Sequence, residues 1–590
     1  MKDDNYLRFF SLGVLLSLLP LAIVMRLVLL QVVPSLREPY LNNLETLKFT
    51  SSKIVPTRGT IVDRKGNLFA TNQRTYEIGI SPEQVQDAEA VEDTLREALG
   101  EIEVDIATEV AQALKNGVRY IVVADFVTQE QIDSLDKKLV EALEADSYQE
   151  IVSLNGIHYK THLRRVYPNK FLGANMIGIF GWEAEKTEQS GIFGVEGYYN
   201  DMLADRVQYR LLANYPGYAG DYNVLPEGAS LVLTLDREIQ AMTEQVLEEE
   251  LDANGAESGT IVILNPKTGE ILAMATTPRL DPNNYFDYLD DYPKDVPYNR
   301  AISLPIEPGS VFKVLTVAAA LDSGAVDEDF SYVDQGVLEY AGLYIYNWDR
   351  GAYGPQGLLG CLAHSLNVCL STLSTKYLGN ETFYSYMHKF GIGLPTGVDL
   401  AGEISGVLKS PHEGYWHEGD LATNAFGQGL TTTPVQLAMA VSAIANDGKM
   451  MVPHIVKSIA QHGYQAEIEQ RVAGIPISAA TADLVAELMA QALETEASDA
   501  LVPGYRMSGK TGTAQIPTPT GYHPYLTNAS FVGFGPTDDP QFLVYINFEE
   551  PATSPWGSEV AAPVFAKVVE KLVDLMDIPP DDIRLRLAGQ

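Results

Sequence analysis

Lys510-Thr511-Gly512-Thr513 is the stretch whose reading decides the fold, and two other fragments are its partners, Ser310-Val311-Phe312-Lys313 and Ser365-Leu366-Asn367. A short strand-like run, Tyr505-Arg506-Met507-Ser508-Gly509, leads into Lys510, and Ala514-Gln515 follow Thr513. On an edge strand, Lys510, Thr511, Gly512 and Thr513 offer a cation, two hydroxyls and backbone groups to an extended peptide ending in a carboxylate. Extended peptides commonly add to such an edge.

Ser310 follows Pro308-Gly309 and opens the apolar run Val311–Leu321, which stops at Asp322-Ser323-Gly324. The pattern predicts a helix beginning at the serine. Three-residue spacing puts Ser310 and Lys313 on one face. A serine hydroxyl is a weak nucleophile until a base takes its proton. Lys313 is that base only when neutral, which requires burial or a neighbouring positive charge, and Lys510 is placed to supply the charge. The helix N-terminus adds positive potential where an oxyanion develops. Ser365 can pass the proton to a leaving amine, and Asn367 can hold a substrate amide. His364 raises a Ser-His-Asp alternative, but no Gly-x-Ser-x-Gly elbow surrounds Ser310 or Ser365, so it is read as supporting or structural. Each triplet alone is weak. Lys267-Thr268-Gly269 sits in a hairpin turn and Ser134-Leu135-Asp136-Lys137 in an acidic helix, and both are decoys. The ordered set Ser-x-x-Lys, Ser-x-Asn, Lys-Thr-Gly marks serine acyltransferases that recognise penicillin.

At 590 residues the chain exceeds one average domain, and two or three are expected. A net charge of −37 excludes a nucleic-acid binder, which needs a basic surface. The two cysteines, Cys361 and Cys369, exclude a disulfide-rich scaffold. On one continuous helix their Cα atoms would lie about 12 Å apart. A disulfide spans about 7 Å at most. Two free buried thiols are therefore expected, unless the helix breaks between them.

Phe9–Met25 is an apolar run between Arg8 and Arg26, resuming over Leu27–Val33. It is read as an uncleaved membrane anchor over 8–33 with a cytoplasmic tail of 1–7, kinked at Pro20, with Arg26 snorkelling at the outer interface or meeting another membrane protein. Beyond it, alternation around Ile61 predicts a strand and Asp63–Asn67 a turn, and Arg58, Asp63 and Arg64 are read either as an ion-pair cluster locking this segment to the next module or as solvated charges on that turn. Helical spacing marks Val91–Leu99, Ile106–Leu114 and Gln129–Leu143, the last with a Thr128/Gln131 capping box. The glycines of 191–200 suggest close backbone approach. After a boundary near Pro226-Glu227-Gly228 come a strand over 231–235, a helix over 237–250 capped by Asp236, and strands over 259–264 and 270–276. Later come a helix to Ala445, strands over 531–535 and 541–548, and a closing helix over 562–576. The sum is a mixed sheet with helices on its faces.

These fragments together, with Arg58-Gly59, Asp63-Arg64, Arg165, Tyr167-Pro168, Gly194-Val195-Glu196 and Glu307-Pro308-Gly309-Ser310, resemble the class B penicillin-binding proteins, the monofunctional peptidoglycan transpeptidases. The resemblance runs from the anchor to about Leu575. It implies a multidomain α+β chain: a pedestal over 34–225, a penicillin-binding transpeptidase domain over 226–577 with an antiparallel sheet and helices on its faces, and a tail of 578–590. It implies acylation of Ser310 by the penultimate D-Ala of a stem peptide, loss of the terminal D-Ala, and attack by a neighbouring stem's amine. The oxyanion hole falls to the backbone N–H groups of Ser310 and Thr513, and carboxylate binding to Thr511 and Thr513. β-Lactams would acylate Ser310. Neither metal nor cofactor is implied. A SEDS-type glycan polymerase and other membrane division or elongation proteins are the implied partners, with the catalytic domain extracytoplasmic and a septal role favoured over elongation. Two other classes compete: a membrane-anchored serine β-lactamase, against which stands the lack of a Glu-x-x-Leu-Asn loop, and a non-catalytic β-lactam sensor or scaffold.

Overall fold

The structure, a computed structural model, describes residues 3–33, 49–54, 56–100, 102, 104–144, 152, 154–182, 189–206, 208–213, 227–284, 297–411, 414–519 and 521–588. The limits read at 34 and 225, and the boundary residue Pro226, lie outside them. The chain divides into two compact units, Met1–Thr57 with Ala204–Gly228, and Arg58–Leu203 with Ala229–Gln590.

In the first unit, helix α1 spans Asp3–Val32 with Pro20 inside it, beginning within the segment read as the cytoplasmic tail. Among the described residues no helix is long and apolar enough to cross a membrane, and the anchor itself stays a proposal. Phe49–Ile54 pairs antiparallel with Gln208–Ala213.

The second unit opens with β1 (Ile61–Val62) and β2 (Leu68–Ile80). The turn between them is built on Asp63, whose carboxylate accepts the backbone N–H groups of Lys65 (2.9 Å) and Asn67 (2.8 Å). Helices α2 (Ala88–Leu99) and α3 (Ile106–Asn116), strand β3 (Ile121–Val127), helix α4 (Gln129–Glu144) and strand β4 (Ile157–Val166) follow. Tyr76, Ile78 and Ile80 of β2 form a small core with Val91, Leu95, Ile106, Val110, Ile132 and Leu135 of the three helices. The sequence caps work: Thr128 and Gln131 bond reciprocally through Gln131 Oε1 (2.9 Å) and Thr128 Oγ1 (3.4 Å).

Strand β5 (Ser230–Leu233) precedes helix α5 (Arg237–Asn254), whose Glu238 and Ile239 N–H groups are taken by Asp236. Strands β6 (Ser258–Leu264) and β7 (Ile271–Thr276) form a hairpin, and Lys267-Thr268-Gly269 is its turn. Next come α6 (Lys313–Asp322), α7 (Leu358–Ala363), α8 (Asn367–Thr372), β8 (Val456–Gln461), β9 (Tyr464–Glu467), α9 (Ala479–Glu496), β10 (Ser508–Thr518), β11 (Gly521–Gly535), β12 (Phe542–Glu549) and α10 (Gly557–Leu575).

The central sheet runs β7-β6-β12-β11-β10. It is antiparallel throughout, as the resemblance implies. Its strands alternate between two cores, as the two-residue side-chain period demands. Ile261, Ile263, Phe531 and Val544 pack on α5 and α10, while Val262, Leu264, Val532 and Leu543 face the core shared with α6 and α9. A second sheet, ordered β9-β8-β5-β1-β2-β3 with β4 also on β2, ties the N-terminal strands of this unit to β5 and β8 through the parallel pair β1–β5.

Arg58, Asp63 and Arg64 do not form the single cluster read from the sequence. Arg58 pairs with Glu196 at 2.5 Å, and Arg64 with Glu270 at 2.7 Å. Asp63 serves its turn and the N–H of Arg237. Each charge found a nearer partner from a distant part of the chain. Arg165 joins Arg58 on the fully buried Glu196 at 2.7 Å.

Candidate active site

Ser310 lies in a 3-10 turn, Gly309–Phe312, that runs directly into α6. In a 3-10 turn residues three apart eclipse, so Ser310 and Lys313 share a face. Gly309 has φ +57°, and a Cβ there would stand 2.9 Å from the carbonyl oxygen of Thr513. Only glycine brings the serine turn this close to β10. The turn is also bonded to the 427–432 segment: Gly309 N–H donates to Gly427 O at 3.0 Å, and Ile306 and Thr432 exchange both backbone bonds at 2.9 Å. β10 is an edge strand of the central sheet, as read from the sequence. A Cβ on its Gly512 would meet Val311 Cγ1 at 2.8 Å.

Lys313 is fully buried. Its Nζ donates to Ser365 O at 2.6 Å and to Asn367 Oδ1 at 2.7 Å, and lies 3.1 Å from Ser365 Oγ. Asn367 Nδ2 donates to Tyr346 O, which fixes the amide with Oδ1 toward the lysine. Burial, and secondly the charge of Lys510, pull Lys313 well below the ordinary lysine value. A neutral Lys313 has two N–H groups for the two oxygens that can only accept, which leaves its lone pair for a hydroxyl. Lys510, 4% exposed, reaches Ser365 Oγ at 3.2 Å and Thr511 O at 3.0 Å. Burial brings Lys510 down to about 7. The Ser365 hydroxyl thus bridges two lysines from distant parts of the chain. Thr513 Oγ1 accepts Gly557 N–H at 3.1 Å, tying β10 to the start of α10.

Ser365 itself is left-handed, φ +54°. Helix α7 stops at Ala363, and α8 starts at Asn367. This break overturns the expectation of two free thiols. Cys361 and Cys369 form a disulfide with their Cα atoms 5.8 Å apart, because the chain turns back at Ser365 instead of continuing one helix. The cystine therefore brackets the Ser-x-Asn fragment.

His364 points out of this constellation. Its Nδ1 lies 3.1 Å from Glu496, and its ring stacks on Tyr353 at 4.8 Å. Trp348, which donates its Nε1–H to His364 O, meets Trp556 edge-on at 5.1 Å. Neither tryptophan was singled out from the sequence, since each stands alone in a loop without periodic pattern. Among the described residues no group of three or more His, Cys, Asp or Glu side chains could hold a metal ion.

Comparison with known proteins finds two family domains along the chain. Residues 259–570 match the penicillin binding protein transpeptidase domain, and residues 53–211 match the penicillin-binding protein dimerisation domain. Stage V sporulation protein D of Bacillus subtilis (strain 168) is 31% identical over 89% of this chain and 79% of its own length. Peptidoglycan D,D-transpeptidase FtsI of Escherichia coli (strain K12) is 29% identical over 90% of this chain and 85% of its own. A solved structure of penicillin binding protein 3 from Mycobacterium tuberculosis, complexed with aztreonam, superposes with a TM-score of 0.67 at 24% identity, covering 90% of this chain and 98% of that one.

Proposed function

Since this chain belongs to the class B penicillin-binding proteins and is a serine-type peptidoglycan D,D-transpeptidase, we propose that Ser310 is the nucleophile it acylates. Lys313, held neutral, takes the Ser310 proton as Oγ attacks the carbonyl carbon of the penultimate D-Ala. The backbone N–H groups of Ser310 and Thr513 receive the oxyanion. The proton passes through Ser365 to the departing amine, the C–N bond breaks, and the terminal D-Ala leaves. Asn367 holds the substrate amide, Lys510, Thr511 and Thr513 hold the terminal carboxylate, and Gly512 lets this substrate-binding strand lie close against the Ser310 turn. The amine of a second stem then attacks the Ser310 ester, forming the new amide and returning the proton to Oγ. A β-lactam acylates the same oxygen as its ring amide opens.

One observation carries this assignment: Ser365 Oγ stands 3.1 Å from Lys313 Nζ and 3.2 Å from Lys510 Nζ. Ser310→Ala should abolish cross-linking of lipid-linked stem peptides while leaving the fold intact. Turnover of penicillin within seconds would favour the β-lactamase reading. Wall cross-linking and growth sustained by Ser310→Ala would favour the scaffold reading.

The anchor over 8–33, the cytoplasmic tail 1–7, the pedestal 34–225, the transpeptidase domain 226–577 and the tail 578–590 belong to the same proposal, as do the extracytoplasmic catalytic domain and a SEDS-type polymerase partner. The apolar run Phe9–Met25 and the family resemblance support them. Chain length resembles that of septal members, which favours division over elongation. A tagged copy at midcell supports that choice, and one along the side wall overturns it.

A further inference from the structure

Glu307 stands three residues before Ser310 and is 8% exposed. Its Oε1 accepts the Gly429 N–H at 3.1 Å and the Tyr522 hydroxyl at 3.1 Å. Its Oε2 is buried with no hydrogen-bond partner among the described residues. Gly429 belongs to the 427–432 segment that also bonds Ile306 and Gly309, and Tyr522 lies near the tip of the β10–β11 hairpin, opposite Pro517. A single carboxyl group therefore joins three elements: the turn that carries Ser310, the segment behind it, and the hairpin whose other end carries Lys510–Thr513.

The charged surroundings do not compensate this carboxyl. Lys409 lowers its pKa less than the bonds from Gly429 and Tyr522 do, and Asp420 adds negative charge near Tyr522. Burial outweighs the bonds from Gly429 and Tyr522 and pushes the group up to about 7. Leaving a buried charged oxygen without a partner is costly. Exposing Oε2 to water would relieve that cost, and ionisation therefore works against the packed arrangement in which Glu307 meets Gly429 and Tyr522.

We propose that Glu307 is a positioning residue for acylation: protonated, it braces the Ser310 turn against the 427–432 segment and the hairpin, and ionised, it loosens that brace. The inference rests on Ser310 being the acylated residue. The sign follows from the neutral form being favoured in the closed arrangement, so closure is strongest at low pH and weakens as pH rises through the neutral range.

The test is the second-order rate of Ser310 acylation by a fluorescent penicillin, measured against pH on the intact protein and on Glu307→Gln. The glutamine carbonyl still accepts from Gly429 and Tyr522, so the variant stands for the protonated state at every pH. The ratio of the native rate to the Glu307→Gln rate should be near one below about pH 6 and fall roughly tenfold above about pH 8, in one titration. Taking this ratio cancels the titrations of Lys313 and Lys510, which both proteins share. In a Tyr522→Phe background the midpoint should move upward, because the carboxylate loses a donor. A ratio constant across pH, or a midpoint that Tyr522→Phe leaves in place, overturns the proposal. Failure of the native protein to acylate at Ser310 would instead overturn the nucleophile assignment.

Discussion

At the level of single residues, the proposed chemistry depends on two lysines whose positive forms are disfavoured. Desolvation is the larger cause for Lys313, and the charge of Lys510 is the second. Lys510→Ala removes that second cause, so the Lys313 pKa rises and the alkaline-activated limb of acylation shifts to higher pH. At neutral pH the acylation rate should drop by about 10²-fold, within the usual range for disabling a positioned base. A pH profile of penicillin acylation checks both statements, and an unmoved limb would exclude electrostatic coupling between the lysines. The residue types of this site were legible in the sequence because the chemistry restricts them: a hydroxyl, an amine on the same turn, and a cation on an edge strand. The environment that makes them work was less legible. The left-handed Ser365 is not announced by a glycine or asparagine, and the hydrogen bonds to Glu307 come from Gly429 and Tyr522, far along the chain.

Among the elements, the helices α2–α5 and the strands β6, β7, β11 and β12 followed from periodicity and caps, since local pattern and final packing agree there. The Ser-x-Asn region did not. Residues 361–378 hold neither glycine nor proline and read as one apolar helix, yet the structure stops α7 at Ala363 and restarts at Asn367. Lys313 explains the break, because its Nζ takes the Ser365 carbonyl oxygen that a continuous helix would use internally. The Cys361–Cys369 disulfide locks the result, closing a short loop of sequence separation 8. Replacing both cysteines by serine should cost about 2–3 kcal/mol by loop entropy. Chemical denaturation measures that loss, and the variant's penicillin acylation should slow as Ser365 loosens between the lysines. An acylation rate equal to the native one would show that the lysines alone hold the fragment.

For the whole molecule, long-range pairing decides the architecture: the edge strand β10 reaches the serine turn only because four other antiparallel strands set its place. Such register is invisible to local pattern, which marks strands but not their order in a sheet. The same holds for the buried triad of Arg58, Arg165 and Glu196. Burial alone would raise the Glu196 carboxyl, but the two arginines outweigh it and hold the group below the ordinary glutamate value. A lowered folded-state pKa adds stability above the unfolded value of 4.5 that is lost as pH falls below it. Glu196→Gln leaves two buried guanidinium groups without their anion and should cost about 3–5 kcal/mol in denaturant unfolding. It should also flatten the acid side of the native stability profile. A loss under about 1 kcal/mol would mean that water or other groups already neutralise the arginines.

The central claim is that fragments from three distant parts of the chain activate one hydroxyl. Digestion of the penicillin-treated protein followed by mass mapping of the adduct tests it most directly. The account predicts a single, stoichiometric acyl group on the peptide containing Ser310, absent in Ser310→Ala and strongly slowed in Lys313→Ala. An adduct on Ser365 or another residue, or none at all, would contradict it.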